Sequence, residues 1–168
     1  MIWIAYVIVL LVVMQRLGEL VLANRNTRKL KAEGGVEIGA AHYPLIVFLH
    51  GAWLLAILWL LPAGLRISWP WLGAFVLLQI ARLWAIASLG RYWTTRIISL
   101  PRAPLVKKGP YRFLRHPNYV VVAGEILALP MAFSEWGVAA LFSLANGLLL
   151  LWRIREEETG LAPRRNLS

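Results

Sequence analysis

Long runs of apolar residues are the feature that most constrains how this chain can fold. Several runs approach the length of about 20 residues that a helix needs to cross a bilayer. The sequence is 60% hydrophobic and 15% charged, whereas a soluble domain has about 45–50% apolar and about 25% charged residues. A core built from 168 residues cannot bury this excess. The pattern therefore predicts an integral membrane protein and disfavours an unusually apolar soluble helical protein.

Five spans are predicted, and they define an all-α membrane protein of about five transmembrane helices in a single domain, residues 1–168. The predicted spans are residues 2–22, 42–61, 71–89, 117–133 and 138–152. The last two are short and only four residues separate them, so they are expected to form a helical hairpin packed against the other three. The three N-terminal spans occupy residues 1–88, and residues 89–161 form a second functional half.

The basic residues predict the orientation of these spans. All but three of the 18 lysines and arginines belong to two predicted loops, residues 24–41 and 90–115, and to the tail, residues 153–168, which five crossings place on one side. Within the second loop, the β-branched and aromatic residues of segment 92–100 predict extended structure. Basic segments beside spans are retained in the cytoplasm, so the N-terminus is expected outside and the C-terminus inside. The net charge of +10 lies next to apolar runs, which indicates contact with anionic membrane lipids rather than nucleic acid.

Ionisable side chains inside the spans are candidates for the polar lining of a cavity. Arg16 and Glu19 are three residues apart and can pair on one helix. Arg82 lies inside the third span, with Glu19 or Glu125 as its candidate partner. A charge at this depth faces protein or a water-filled cavity, so Arg82 either lines such a cavity or belongs to a structural ion pair.

Two histidines lie on the second predicted span. His42 and His50 are eight residues apart, close to two helical turns, and therefore share a face. Metal-binding histidines on a helix are more often four residues apart, so no metal site is predicted. The interpretation is packing or interfacial histidines, with His50 as a candidate contact for a ligand.

Two polar clusters flank the predicted hairpin. Residues 109–119 (GPYRFLRHPNY) directly precede the fourth span, and residues 153–158 (RIREEE) directly follow the fifth. A helical hairpin would bring them together at one face of the membrane. Basic, hydrogen-bonding and acidic groups together suit a zwitterionic amino acid group. The alternative, which spacing alone favours, is a solvated charged surface whose glutamates neutralise nearby arginines.

These clusters resemble the paired motifs of the isoprenylcysteine carboxyl methyltransferases and related membrane phospholipid methyltransferases. GPYRFLRHPNYV matches the segment G-x-Y-x-x-x-R-H-P-x-Y, and RIREEETGL matches the ending R-x-x-x-E-E-x-x-L. The resemblance covers residues 89–161, and Val121 stands where many members have glycine. The whole chain is similar to a small bacterial branch of the family. Some members of that branch O-methylate alkylpyrones and are associated with polyketide synthases.

The resemblance implies a membrane methyltransferase that uses S-adenosylmethionine without a Rossmann domain, and the chain has no G-x-G-x-x-G motif. The implied cofactor pocket is cytoplasmic, and its residues are Tyr111, His116, Pro117, Tyr119, Glu157 and Glu158. Arg115 and Arg153 would be the catalytic residues that orient a carboxylate or the nucleophile. The implied location is a bacterial cell membrane.

Methyl transfer from a sulfonium needs little from the protein besides positioning and exclusion of water. The leaving thioether is neutral, and a carboxylate or acidic enol is already ionised near neutral pH. The expected function is O-methylation of a lipophilic acid or enol, either an alkylpyrone supplied by a polyketide synthase or an isoprenylcysteine-like carboxylate. Two alternatives stay open: a phospholipid N-methyltransferase, whose amine nucleophile would need a base, and a non-catalytic membrane scaffold or transporter subunit. In the expected enzyme, Arg82, Glu125 and His50 line the acceptor tunnel.

Overall fold

Helices dominate the computed structural model, which describes residues 2–101 and 103–165, with side chains to residue 162. Within these residues the chain forms five α-helices and one pair of short β-strands. The helices are α1 (Ile2–Ala32), α2 (Tyr43–Leu60), α3 (Trp69–Leu89), α4 (Pro117–Ala132) and α5 (Trp136–Arg165). The strands are β1 (Val36–Ile38) and β2 (Ile97–Ser99).

Four of the helical segments are long and apolar enough to cross a membrane. They are Ile2–Ala32, Ala40–Leu60, Trp69–Tyr92 and Trp136–Ala162. Apolar side chains such as Phe48, Leu55 and Trp59 point outward from the bundle, as lipid-facing residues do. The chain is therefore an integral membrane protein, but the helix at the fourth predicted span, residues 117–133, is shorter than the others. Helix α4 has 16 residues, a length of about 24 Å against a hydrocarbon core of about 30 Å.

Helices α4 and α5 form the predicted hairpin. Pro117 begins α4 at a position where its missing N–H is not needed. Pro130 lies within the last turn of α4, where it lacks the N–H that a helical hydrogen bond needs. Ser134 then adopts a left-handed conformation (φ 64°), and the N–H of Glu135 donates to the carbonyl of Pro130 at 2.9 Å. Helix α4 packs mainly against α3 and α5, so the short helix lies inside the bundle.

Helix α1 extends ten residues beyond the predicted end of the first span, so the prediction of a loop from residue 24 is wrong for this part. The buried residues Ala23, Asn26, Thr27 and Leu30 recur at helical spacing. The Asn26 amide nitrogen donates to the carbonyl oxygens of Gly90 (3.2 Å) and Trp93 (2.8 Å). The basic residues of this stretch lie on the opposite, solvated face, which is why its composition resembled that of a loop.

The prediction of an all-α chain omitted a small antiparallel sheet. Strand β1 pairs with β2, with Val36 opposite Ser99 and Ile38 opposite Ile97. Extended structure was predicted for residues 92–100, and β2 confirms it for three of them. Glu37 of β1 lies between Lys31 and Arg96, at 2.5 and 2.6 Å. Burial opposes ionisation of Glu37, but hydrogen bonds from these two cations outweigh it and lower its pKa.

The turn between α4 and α5 contains a buried carboxyl group that yields a testable prediction. Glu135 is buried, and neither of its side-chain oxygens has a hydrogen-bond partner among the described residues. Burial raises the pKa of Glu135 from 4.5 to about 7. The folded protein therefore binds this proton more tightly than the unfolded chain, and stability falls as pH rises from about 4.5 to about 7.

Glu135→Gln is expected to remove this dependence, because a neutral amide resembles the protonated carboxyl group. Relative to the variant, the wild-type protein should lose about 1–2 kcal/mol of unfolding free energy between pH 5 and pH 8. Thermal unfolding in detergent across this range measures the difference. Glu33→Gln, a change of an exposed glutamate at the other end of the bundle, is the control. Parallel pH profiles for the wild type and Glu135→Gln would contradict the prediction.

Candidate functional site

Two cavities of about 420 Å³ each lie at the end of the bundle where α4 begins. The first, called the polar cavity, lies between the loop segments on either side of β2, the start of α4 and the last turns of α5. The second, called the apolar cavity, lies between α1, α2 and α5 and is lined mainly by aliphatic residues. The two cavities are adjacent and have five lining residues in common, which form the shared wall: Trp93, Thr94, Asn118, Tyr119 and Arg153.

Local conformations bring the two polar clusters together. Gly109 has a positive φ of 59°, and a Cβ at this position would collide with the Ser88 side chain. Glycine therefore lets the turn Gly109–Arg112 approach the end of α3. Pro117 then starts α4, while Arg153 and Glu157 lie one turn apart on α5. The clusters meet, as the predicted hairpin requires.

The polar cavity is built around the His116 ring, which stacks on Tyr119 with centroids 5.3 Å apart. His116 Nδ1 lies 3.6 Å from Glu157 Oε2, and Nε2 lies 3.3 Å from Glu158 Oε1. The Tyr119 hydroxyl donates a short hydrogen bond to Glu157. Burial first, and the nearby Glu157 charge second, raise the pKa of Tyr111. Tyr111 is therefore a hydrogen-bond donor at neutral pH.

Arg153 supplies the positive charge in the wall that the two cavities share. Its side chain is buried, with 7% of its surface exposed. Nε donates to the Tyr119 hydroxyl at 2.7 Å, and Nη2 donates to the Thr95 carbonyl at 2.8 Å. Nη1 lies 3.5 Å from His42 Nε2. No carboxylate of the described residues forms an ion pair with Arg153, so neutral groups hold a buried positive charge.

The two arginines predicted as catalytic occupy different places. Arg153 lines both cavities, whereas Arg115 lines only the polar cavity. The Arg115 side chain is 77% exposed and lies 3.6 Å from Glu158. Of the predicted cofactor residues, Tyr111, His116, Tyr119, Glu157 and Glu158 line the polar cavity, while Pro117 is buried behind it.

Two of the predicted tunnel residues, Arg82 and Glu125, belong to a buried ionic network beside the apolar cavity. Glu125 accepts from Arg16 (2.8 Å), Arg82 (3.1 Å) and Gln79 (2.8 Å). Glu19 accepts from Arg16 (3.0 Å) and from Arg82 at 2.7 Å. Both candidate partners of Arg82 therefore contact it. Two arginines and two glutamates neutralise one another, which makes burial of this network tolerable.

Only part of this network faces the apolar cavity. Arg16, Glu19, Arg82 and His50 line it, whereas Glu125 lies behind Arg82 and lines neither cavity. His50 Nδ1 lies 2.8 Å from the Ile46 carbonyl oxygen. In the part of the chain that the structure describes, no three His, Cys, Asp or Glu residues are grouped as a metal site.

Sequence reasoning missed His42 and Thr95, which contact Arg153, and Asn118, which lines both cavities. His42 was interpreted as a packing or interfacial residue, and its side chain is buried against Arg153. Thr95 contributes a backbone carbonyl, for which side-chain patterns give no signal. Asn118 lies inside the G-x-Y-x-x-x-R-H-P-x-Y segment at a position that the motif leaves open, and its Oδ1 has no hydrogen-bond partner in the described residues.

Residues 71–163 match the family model of the isoprenylcysteine carboxyl methyltransferases. The chain belongs to this family. The matched region contains α3, α4 and most of α5, together with the loop segments around the polar cavity. The isoprenylcysteine carboxyl methyltransferase family is a family of membrane methyltransferases, in agreement with the four apolar helices. The N-terminal helices that supply much of the apolar cavity lie outside the matched region.

Relatives of this family member extend over most of its length. The chain is 42% identical over 161 residues to YpbQ of Bacillus subtilis, an uncharacterised protein, with 93% of this chain and 95% of the relative covered. It is 29% identical to an uncharacterised Haemophilus influenzae protein, covering 88% of each. It is 33% identical to the cobalt-zinc-cadmium resistance protein CzcN of Cupriavidus metallidurans, covering 67% of this chain and 54% of the relative. No solved structure matches the chain significantly.

Proposed function

We propose that the protein is an S-adenosylmethionine-dependent O-methyltransferase that acts on a lipophilic carboxylate or enol. The cofactor occupies the polar cavity and the acceptor occupies the apolar cavity. The observation that carries this proposal is the wall that the cavities share, in which a buried arginine forms no ion pair with any carboxylate of the described residues. An anionic acceptor oxygen would supply the missing charge.

The residues of the polar cavity fit the cofactor. Its volume of about 420 Å³ lies within the usual range of about 300–1,000 Å³ for small-molecule sites. Glu157 and Glu158 suit an ammonium group and ribose hydroxyls, while Lys107 suits a carboxylate. Apolar lining residues such as Leu89 and Leu161 suit a nucleoside base. Bound there, S-adenosylmethionine would supply a methyl group on a sulfonium whose departure as a thioether needs no proton.

Arg153 and its neighbours would position the acceptor. Tyr119, Thr95 and His42 fix the guanidinium, so that it can hold an ionised oxygen of the acceptor at the boundary between the cavities. The oxygen needs no general base because it is already ionised. A tight fit of anion and cation in the ground state alone would not speed the reaction, since only stronger binding of the transition state does so. Catalysis consists of alignment and exclusion of water.

The charge at the shared wall favours O-methylation over N-methylation. A phosphatidylethanolamine ammonium group would approach a buried arginine that forms no direct ion pair with a described carboxylate, and the two positive charges repel. An alkylpyrone enol or an isoprenylcysteine-like carboxylate would be attracted. A polyketide synthase could supply the first of these acceptors. The apolar cavity would admit either one from a bacterial membrane, while the polar cavity and the C-terminus face the cytoplasm and the N-terminus lies outside.

Two measurements on the detergent-purified protein test the proposed function. Calorimetric titration with S-adenosylhomocysteine is expected to give a dissociation constant in the micromolar range, roughly 1–100 μM. Methyl transfer is expected to a 4-hydroxy-6-alkyl-2-pyrone or a farnesylcysteine derivative, and not to phosphatidylethanolamine. Absence of nucleoside binding would support a non-catalytic scaffold or transporter subunit. Methylation of phosphatidylethanolamine would identify an N-methyltransferase instead.

A further inference from the structure

The apolar cavity contains a second polar position, two helical turns away from Arg153. His50 on α2 and Asn146 on α5 both line this cavity. His42 precedes α2 and lies 3.5 Å from Arg153 of α5, which fixes the register of these two helices. The two helices run antiparallel. Ser68 follows the end of α2, and its N–H donates to the carbonyl oxygen of Ala132, which precedes the start of α5. The end of α2 and the start of α5 therefore lie at the same end of the bundle.

The register places His50 and Asn146 at the same depth. His50 is eight residues beyond His42, a rise of about 12 Å, and Asn146 is seven residues before Arg153, a rise of about 10.5 Å. Seven residues are nearly two full turns, so Asn146 lies on the same face of α5 as Arg153. The two side chains therefore face one cavity from opposite walls, about 10 Å deeper than the proposed reaction centre.

Two side chains at this depth have an acceptor and a donor that no described residue uses. The Ile46 carbonyl can only accept, so His50 Nδ1 carries the hydrogen and Nε2 of the neutral ring presents a lone pair. Asn146 is buried, with 3% of its surface exposed, and its amide nitrogen has no hydrogen-bond partner in the described part of the chain. The nearby charges of Arg16, Glu19 and Arg82 form ion pairs with one another, and Arg16 Nε is a further donor without a partner among the described residues.

We propose that His50 and Asn146 form a subsite for a hydroxyl group on the chain of the acceptor. An alcohol can donate to His50 Nε2 and accept from the Asn146 amide, whereas a ketone can do only the second. This inference rests on the proposed acceptor role of the apolar cavity. The depth corresponds to roughly eight to ten carbon atoms between the oxygen at Arg153 and the hydroxyl group. Leu54 and Leu58 line the cavity as well and would contact the rest of the chain.

Binding of fatty acids tests the subsite without any methyl transfer. The protein in detergent is mixed with equal amounts of stearate and 10-hydroxystearate, and native mass spectrometry measures the ratio of the two complexes. Two added hydrogen bonds are expected to favour 10-hydroxystearate about tenfold. 2-Hydroxystearate, whose hydroxyl lies next to the carboxylate, is expected to show no such advantage. Equal binding of all three acids, or no binding of any, would overturn the proposal.

Variants show whether the preference depends on the two named side chains. His50→Phe and Asn146→Leu each remove one of the two hydrogen bonds and are expected to reduce the preference to about threefold, and the double variant to less than twofold, while stearate still binds. His50→Gln, which keeps an acceptor, should retain part of it. Ser143→Ala is the matched control, since the Ser143 hydroxyl on α5 has no partner among the described residues and Ser143 does not line the apolar cavity. If the tenfold preference for 10-hydroxystearate persisted when both His50 and Asn146 were replaced, the hydroxyl group would bind at another site.

The outcomes separate this subsite from the proposed function. The fatty-acid measurement needs no S-adenosylmethionine, so a protein that fails to bind S-adenosylhomocysteine can still show the preference for 10-hydroxystearate. Conversely, a methyltransferase without the subsite would methylate its acceptor and bind stearate and 10-hydroxystearate equally.

Discussion

Replacing Arg153 by methionine is expected to lower kcat/KM for the acceptor about a hundredfold, with little change in the affinity for S-adenosylhomocysteine. Methionine fills a similar volume but cannot hold an anionic oxygen. The loss of a charge-assisted hydrogen bond in a buried site, about 1.5–3 kcal/mol, corresponds to roughly 10–150-fold in rate. Arg153→Lys keeps the charge but loses the planar fork that Tyr119, Thr95 and His42 hold, so it should give an intermediate value.

Steady-state methyl transfer with purified protein measures this effect. Arg91→Met is the control, because Arg91 is exposed, pairs with Glu33 and lines neither cavity. Titration of Arg153→Met with S-adenosylhomocysteine shows whether the variant is folded. If a folded Arg153→Met protein had the kcat/KM of the Arg91→Met control, Arg153 would not orient the acceptor.

Glu157→Gln is expected to weaken binding of S-adenosylhomocysteine about 10–100-fold. Glu157 lies within the polar cavity, where it accepts from Tyr119 and lies beside His116. Its carboxylate is proposed to bind a charged or hydroxyl group of the nucleoside, and such bonds contribute about 1.5–3 kcal/mol. Glutamine has the same shape without the charge, so the change in the dissociation constant reports the charge alone.

The neighbouring glutamate supplies a matched control for this measurement. Glu156 accepts from Trp152 Nε1 at 3.2 Å and lines neither cavity. Calorimetric titration should therefore give Glu156→Gln a dissociation constant close to that of the wild type. Equal dissociation constants for Glu156→Gln and Glu157→Gln would show that the polar cavity does not bind the nucleoside through Glu157.

The residues around the polar cavity could be predicted because they occupy two short, contiguous motifs. The hairpin α4–α5 was predictable from two apolar runs with a turn between them, and it is sufficient to bring the motifs together. The pairing of Arg82 with Glu19 and Glu125 was also predictable, since buried charges need opposite charges nearby. In each case, local sequence and one simple physical rule were enough.

The remaining features depend on contacts between distant parts of the chain. The contact of His42 with Arg153 follows from the antiparallel register of α2 and α5, which no local pattern encodes. Strands β1 and β2 are separated by 58 residues and have three residues each, too short for a clear alternation. The apolar cavity is a space between helices, and the sequence of a single helix contains no signal for it. The last third of α1 was predicted as a loop because it is rich in basic residues. The helical spacing of Ala23, Asn26 and Leu30 was the better signal.

The short helix α4 has a consequence for how the protein responds to membranes of different thickness. Most of its side chains from Val121 onward are buried by α3, α5 and the rest of the bundle, so lipid barely contacts it. Hydrophobic mismatch therefore acts on the four longer helices, which can adjust their tilt. The beginning of α4, and with it Tyr119 at the shared wall, stays at a depth that the protein itself sets.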